Sequence, residues 1–196
     1  MTRSEPVAGI LIGGESRRMG QPKHLLRRGQ ATYLERIVRA VKPVISDVVL
    51  VGSGACPPAL ATLPRVEDAP EVAGPIGGIL ALLAYAAGRP AFVVGCDFPD
   101  LHPSAVRWLL DLAEPDIPLI MPRDDAGVPQ PCFALYGAAL RDPIRAEVAA
   151  GTLRAPRALA RFPGALTPQI PPDLAAALTS VNTPDERATL PSLDDG

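Results

Sequence analysis

The chain has 196 residues, is 47% hydrophobic and carries a formal net charge of −2. That predicts one globular domain with a sizeable core, and the near-neutral balance argues against nucleic acid, whose binders concentrate positive charge. No apolar run is long enough to span a bilayer and no basic-then-apolar leader is read at the start. A cytoplasmic protein with no membrane attachment is therefore expected.

Residues 7–12 form an apolar run that reads as a fully buried strand. It stops at Gly13-Gly14, and Ser16, Arg17, Arg18, Gly20 and Lys23 follow. A strand ending in a glycine-rich, cation-rich turn suits a polyphosphate, because glycines let backbone N–H groups approach phosphate oxygens and cations neutralise the remaining charge. A surface loop with solvated arginines is the plainer alternative. Of the 19 basic residues only Lys23 and Lys42 are lysine. A lysine in that loop is a compact point charge in a chain that otherwise uses the planar arginine fork.

Residues 32–41 place Leu34, Ile37, Val38 and Val41 at helical spacing. Residues 48–51 predict a second buried strand and 65–68 a short third. Residues 74–87 are a glycine-rich turn running into an apolar helix. Residues 91–95 are a further strand ending in Cys96-Asp97-Phe98-Pro99, and 102–113 a helix with Pro103 in its first turn. Strands at 118–122 and 133–136 follow, then helices at about 137–150, 152–161, 174–177 and 184–190. Strands of continuous Val, Ile and Leu alternating with helices predict a mostly parallel sheet covered on both faces. The loops after those strands would share the edge where such sheets bind ligands. One domain over residues 1–190 with a loose tail at 191–196 is expected.

At that edge Asp97 follows the buried run FVVGC. A carboxylate there is placed to hold Mg²⁺ together with substrate phosphates and water, although an Asp opening the turn DFPD needs no metal. Asn182 offers a neutral oxygen for the same ion; from spacing alone Asn182 or Thr183 is a helix cap before Pro184. Asp68 and the turn at residues 74–78 would read a base edge, or the glycines would simply let a helix pack closely. Three cysteines without CxxC spacing (Cys56, Cys96, Cys132) read as free thiols, and two histidines cannot build a histidine-rich metal centre. A dinucleotide fingerprint fails because Gly52-Ser53-Gly54 continues with Ala55-Cys56-Pro57. A Walker loop fails because Lys23 lies between Pro22 and His24.

The stretch LIGGESRRMGQPK resembles the L-[AG]-G-G-x-S-x-R-M-G-x-x-K pattern of the molybdenum cofactor guanylyltransferase family of nucleotidyltransferases. GPIGGILALL is similar to its GPLAG turn, VGCDFPDL to its metal segment and QPCFALY to its [HQ]-P-x-x-A-L-Y strand. GTLRAPRAL is similar to its G-x-R-x-x-x-x-L helix, and VNTPDE to its N-x-N-T-P-E-[DE] ending. The resemblance covers nearly the whole chain. It implies a three-layer α/β/α sandwich of the Rossmann-like nucleoside-diphospho-sugar transferase type, and transfer of GMP from GTP to the phosphate of molybdopterin with release of pyrophosphate. Arg18, Lys23 and Asp97 would be catalytic. Leu11, Ile12, Gly13, Gly14, Lys23, Asp68, Gly77 and Asp97 would hold the nucleotide. Asp97 and Asn182 would bind Mg²⁺, and Gln130, Pro131 and Arg154 would face the pterin. Molybdoenzymes or their chaperones would receive the product. Gln21-Pro22-Lys23 is closer to the cytidylyl-transferring relatives, so the implied alternatives are CTP or a sugar-phosphate acceptor, and a non-catalytic nucleotide-binding protein on the same fold.

Overall fold

The computed structural model describes residues 4–12 and 22–190. The glycine-rich loop at 13–21 and the expected tail at 191–196 lie outside these described residues. Strands β1 (Val7–Leu11), β4 (Val48–Val51) and β6 (Ala91–Gly95) coincide with the longest apolar runs, and nearly every residue in them is buried. β5 (Arg65–Val66) and β7 (Leu119–Ile120) are only two residues long, and β8 (Phe133–Tyr136) completes a six-stranded sheet.

The strand order is β5-β4-β1-β6-β8-β7. β1 pairs in parallel with β4 and β6, and β4 with β5. β8 runs antiparallel to both β6 and β7. The sheet is therefore mostly parallel with one reversed strand, as an α/β sandwich expects. From β1 the chain winds outward through β4 and β5, then crosses to β6 on the other side. The winding reverses between β1 and β6, so their carboxyl ends flank the crevice where such sheets hold ligands.

Helices α1 (Tyr33–Val41) and α3 (Pro103–Asp111) cover one face, with Ile10, Leu50, Phe92 and Phe133 in the core beneath them. Helices α2 (Pro75–Tyr85) and α4 (Arg141–Ala149) cover the other, over Val7, Val49, Val93 and Tyr136. α1 begins where Thr32 accepts from the Glu35 N–H and Glu35 accepts from the Thr32 N–H, a reciprocal cap that the spacing Thr-x-x-Glu encodes. α2 begins at Gly74, whose φ of 78° only glycine adopts readily, followed by Pro75.

The structure departs in detail from the expected elements in three places. An unpredicted hairpin of β2 (Arg27–Arg28) and β3 (Ala31–Thr32) precedes α1; two-residue strands carry no readable period. The helix expected at 152–161 is a 3₁₀ segment at Pro156–Arg161, which starts where Pro156 supplies a preset φ. The helix expected at 137–150 opens with a 3₁₀ turn at Ala138–Leu140 before α4. Short α5 (Pro172–Ala175) and α6 (Pro184–Ala188) close the described chain.

β1 and α2 approach closely at Gly9, where an added Cβ would overlap the methyl groups of buried Leu82. Gly9→Ala is expected to cost about 1–3 kcal/mol through overpacking. In a Leu82→Ala background that cost should fall to near zero, because the clashing methyls are gone. Denaturant midpoints of the four proteins check this.

Candidate active site

The carboxyl ends of β1 and β6 are stitched together before any side chain meets substrate. The buried Cys96 thiol donates to the Leu11 carbonyl at 3.0 Å. The Asp97 carbonyl accepts from the Val181 N–H at 2.8 Å, which docks the C-terminal segment on the end of β6. That docking delivers the next residue, Asn182, to the crevice. There Asn182 Oδ1 accepts from Lys23 Nζ at 2.6 Å, across 159 positions of sequence. Its Nδ2 donates to Ser180 Oγ at 3.1 Å. The cap of α6 is Thr183, whose side chain accepts from the Glu186 N–H. Of the two residues that the sequence offered as the cap, Thr183 fills the role, and the Asn182 side chain instead holds the loop lysine.

Asp97 is held from both directions. Two residues upstream, Gly95 leaves room for it: a Cβ there would stand 2.5 Å from Asp97 Oδ1 and 3.1 Å from the Cβ of Cys132. Downstream, Asp100 receives Arg28 Nε at 2.6 Å and Nη2 at 2.7 Å, a bidentate fork, while Arg36 Nε donates to the Pro99 carbonyl at 2.6 Å. The hairpin and α1 thus clamp the segment that carries Asp97. Burial raises the Asp97 carboxyl above the usual carboxylate range and the Lys23 ammonium opposes this. Burial also pushes the Cys132 thiol up to about 12 and Cys96 higher still, so both thiols stay neutral beside the crevice. All three cysteines are free.

On the β4 side, the Asp68 carboxyl lies over the first turn of α2, where a Cβ on Gly78 would come within 3.3 Å of Asp68 Oδ1. Partial burial raises its pKa, although the residue as a whole is exposed. Gly77 packs against the 69–72 backbone: its carbonyl accepts from the Ala69 N–H and its own N–H donates to Gly74. These contacts show the close packing of the plainer sequence reading, which is compatible with a nucleotide contact at the same turn. Ile12 is buried and its N–H donates to the Val51 carbonyl at 2.8 Å. Leu11 is half-buried against the α2-side core.

The acceptor-side residues divide. The Cys132 carbonyl accepts from the Gly95 N–H at 2.7 Å, so Gln130 and Pro131 lie beside the end of β6. Gln130 Nε2 donates to Asp124 Oδ2 at 2.8 Å and lines a cavity of about 290 Å³ with Asp124, Ile170 and Leu178. The Pro131 carbonyl accepts from Tyr136 Oη at 2.9 Å. Arg154 is exposed beyond α4, and nothing among the described residues joins it to Gln130. Arg18, Gly13 and Gly14 lie outside the described residues.

For Mg²⁺ the donor set fits in a limited form. A magnesium ion takes one or two carboxylates plus phosphate and water oxygens, and Asp97 supplies one carboxylate. Asn182 Oδ1 is engaged by Lys23, so it serves as a second ligand only by sharing that oxygen. Among the described residues no group of three or more His, Cys, Asp or Glu gathers to hold a metal without substrate.

The sequence matches the family described as "MobA-like NTP transferase domain" over residues 8–165. The chain belongs to this family. A protein of Rhizobium meliloti named "Molybdenum cofactor guanylyltransferase" is 32% identical over 206 aligned positions, covering 97% of this chain and 94% of that one. One of Pelotomaculum thermopropionicum, named "Probable molybdenum cofactor guanylyltransferase", is 35% identical over 127 positions; the match spans 65% of this chain and only 61% of that protein. In three dimensions the chain resembles the crystal structure of "Molybdopterin-guanine dinucleotide biosynthesis protein A" from Archaeoglobus fulgidus. The TM-score is 0.74, at 20% identity, with 91% and 93% of the two chains covered. That likeness carries the family's α/β/α fold.

At this edge of the sheet one residue was not singled out from sequence. His24, next to Lys23, is the one buried polar or charged side chain among the described residues. Its Nε2 donates to the Ala55 carbonyl at 2.8 Å, and its ring fills the space that a Cβ on Gly54 would need. It ties the exit of the glycine-rich loop to the turn after β4. No spacing rule exposes it, because a lone His between Lys23 and Leu25-Leu26 has no period. Burial lowers its pKa below the ordinary value near 6.5, with Arg65 adding to the effect against the pull of the Ala55 bond. Protonated His24 favours the unfolded chain. The stability it contributes is thus complete above the unfolded pKa and lost as pH falls through the folded one. Wild type is expected to lose more stability between pH 7.5 and 5.5 than His24→Gln, measured as the shift in denaturant midpoint.

Proposed function

We propose that this chain transfers GMP from GTP to the phosphate of molybdopterin, releasing pyrophosphate and forming the guanine dinucleotide cofactor. The observation that carries the reading is the meeting of Lys23, Asn182 and Asp97 at the crevice between β1 and β6, where family membership expects a nucleoside triphosphate. The guanylyl assignment rests on the names of the two sequence relatives, one of which aligns with nearly the full chain.

A phosphate oxygen of the acceptor attacks the α-phosphorus of GTP. The bond to the bridging oxygen of the β-phosphate breaks, and pyrophosphate leaves with that electron pair. The nucleophile is a phosphate monoester, already anionic at neutral pH, so no His or Glu base is needed. The task left to the protein is positioning and charge neutralisation. Lys23 supplies a point charge to the triphosphate, held in reach by Asn182. Asp97, lifted by burial and anchored by Gly95 and Val181, would hold Mg²⁺, which neutralises charge on the phosphates. Asp68 and the first turn of α2 bound the nucleoside end. Arg18, in the loop beyond the described residues, would be the second triphosphate cation. The reaction consumes GTP and suits a cytoplasmic enzyme passing its product to molybdoenzymes or their chaperones. Among the described residues no helix is long and apolar enough to cross a membrane.

Asp97→Ala should abolish Mg²⁺-dependent pyrophosphate release from GTP plus molybdopterin while the protein stays folded. Lys23→Ala should weaken GTP at least 10-fold more than guanosine, as read by thermal shift and steady-state kinetics. Full activity of Asp97→Ala, or equal loss of GTP and guanosine in Lys23→Ala, would contradict the assignment.

A further inference from the structure

Arg123 lies just past the carboxyl end of β7, on the ligand-binding edge of the sheet, and no motif points to it. Its backbone is fixed: the N–H donates to the Pro168 carbonyl at 2.8 Å and the carbonyl accepts from the Ile170 N–H at 3.0 Å. A bridge to Pro129 continues the pairing. Its side chain is another matter. Nε is buried without a hydrogen-bond partner. Among the described residues its guanidinium forms no hydrogen bond or ion pair, and it is the one arginine there with a buried, unpartnered nitrogen. A native chain seldom leaves a buried N–H of a cation unmatched, because its desolvation is not repaid.

The face it occupies decides what would repay it. Leu119 and Met121 both enter the core beneath α2 and α4, so by strand alternation Arg123 is on that same face. Asp97 lies there too, since its carboxyl stands over Gly95 beside the Cβ of Cys132. Between β7 and β6 stands only β8, which places the two strand ends about 10 Å apart. A phosphate held by Arg123 would thus sit beside, and not on, the triphosphate at Lys23 and Asp97.

The proposed reaction needs such a cation. It brings a phosphate monoester, carrying about −1.5 to −2 charges, up to a triphosphate that repels it. Lys23 serves the triphosphate, and a guanidinium fork matches the oxygens of a phosphate two at a time. Resting on the guanylyl-transfer reading, we propose that Arg123 binds the phosphate of the acceptor and sets its approach to the α-phosphorus.

The test varies molybdopterin at saturating GTP and Mg²⁺ for wild type, Arg123→Gln and Arg123→Lys, with GTP-induced thermal shifts on the same proteins. Arg123→Gln should raise the KM for molybdopterin at least 10-fold while the KM for GTP and the GTP-induced shift stay within twofold of wild type. Arg123→Lys, which keeps the charge without the fork, should fall between. An unchanged molybdopterin KM in Arg123→Gln overturns the proposal. So does a matching loss of GTP binding, which would make Arg123 structural or a nucleotide ligand. If wild type itself gives no turnover with GTP and molybdopterin, the reaction reading fails and the proposal falls with it.

Discussion

The hydrogen bond from Lys23 Nζ to Asn182 Oδ1 is the contact on which the rest of the site depends. It joins the exit of the glycine-rich loop to the segment that leads into α6. The neighbouring Val181 N–H binds the Asp97 carbonyl, so this pair of contacts brings cation, amide and carboxylate to the end of β6. The sheet provides the place, since β1 and β6 are neighbours at the reversal of winding. The clamp of Arg28 and Arg36 on residues 99 and 100 keeps that strand end from shifting.

The electrostatics follow from this packing. A carboxyl lifted by burial is a poor ion in isolation and a better one once a cation meets it, which suits the proposed role of Asp97 in holding Mg²⁺ beside a triphosphate. The flanking thiols, raised far above physiological pH, add no charge and no nucleophile. Cys96 works instead as a small donor to the Leu11 carbonyl, fastening β6 to β1. Under the proposed reaction, the catalytic demand falls on cations, amides and one carboxylate.

Much of this was legible in the sequence, for identifiable reasons. β4, β6 and β8 match the apolar runs residue for residue, because strands buried on both faces leave no room for polar side chains. Asp97 and Lys23 stood out because each follows a strand end and breaks a local habit of composition. The β2–β3 hairpin did not, and neither did the direction of β8, since an antiparallel strand inside a covered sheet carries the same apolar pattern as a parallel one. Asn182 was visible as a residue but not in its role, because a contact across 159 positions has no local signal. His24 and Arg123 were missed for related reasons: one is marked only by burial, the other only by the lack of a partner.

The account's central claim is that the triphosphate lies on Lys23 and Asp97 in the crevice between β1 and β6. A crystal structure with a non-hydrolysable GTP analogue and Mg²⁺ tests it most directly. The account predicts Lys23 Nζ on a phosphate oxygen, the Asp97 carboxylate on the metal, and the nucleoside over the first turn of α2 near Asp68. A triphosphate seated elsewhere would contradict it, for example in the cleft of about 520 Å³ lined by His102, Asp173 and Glu186.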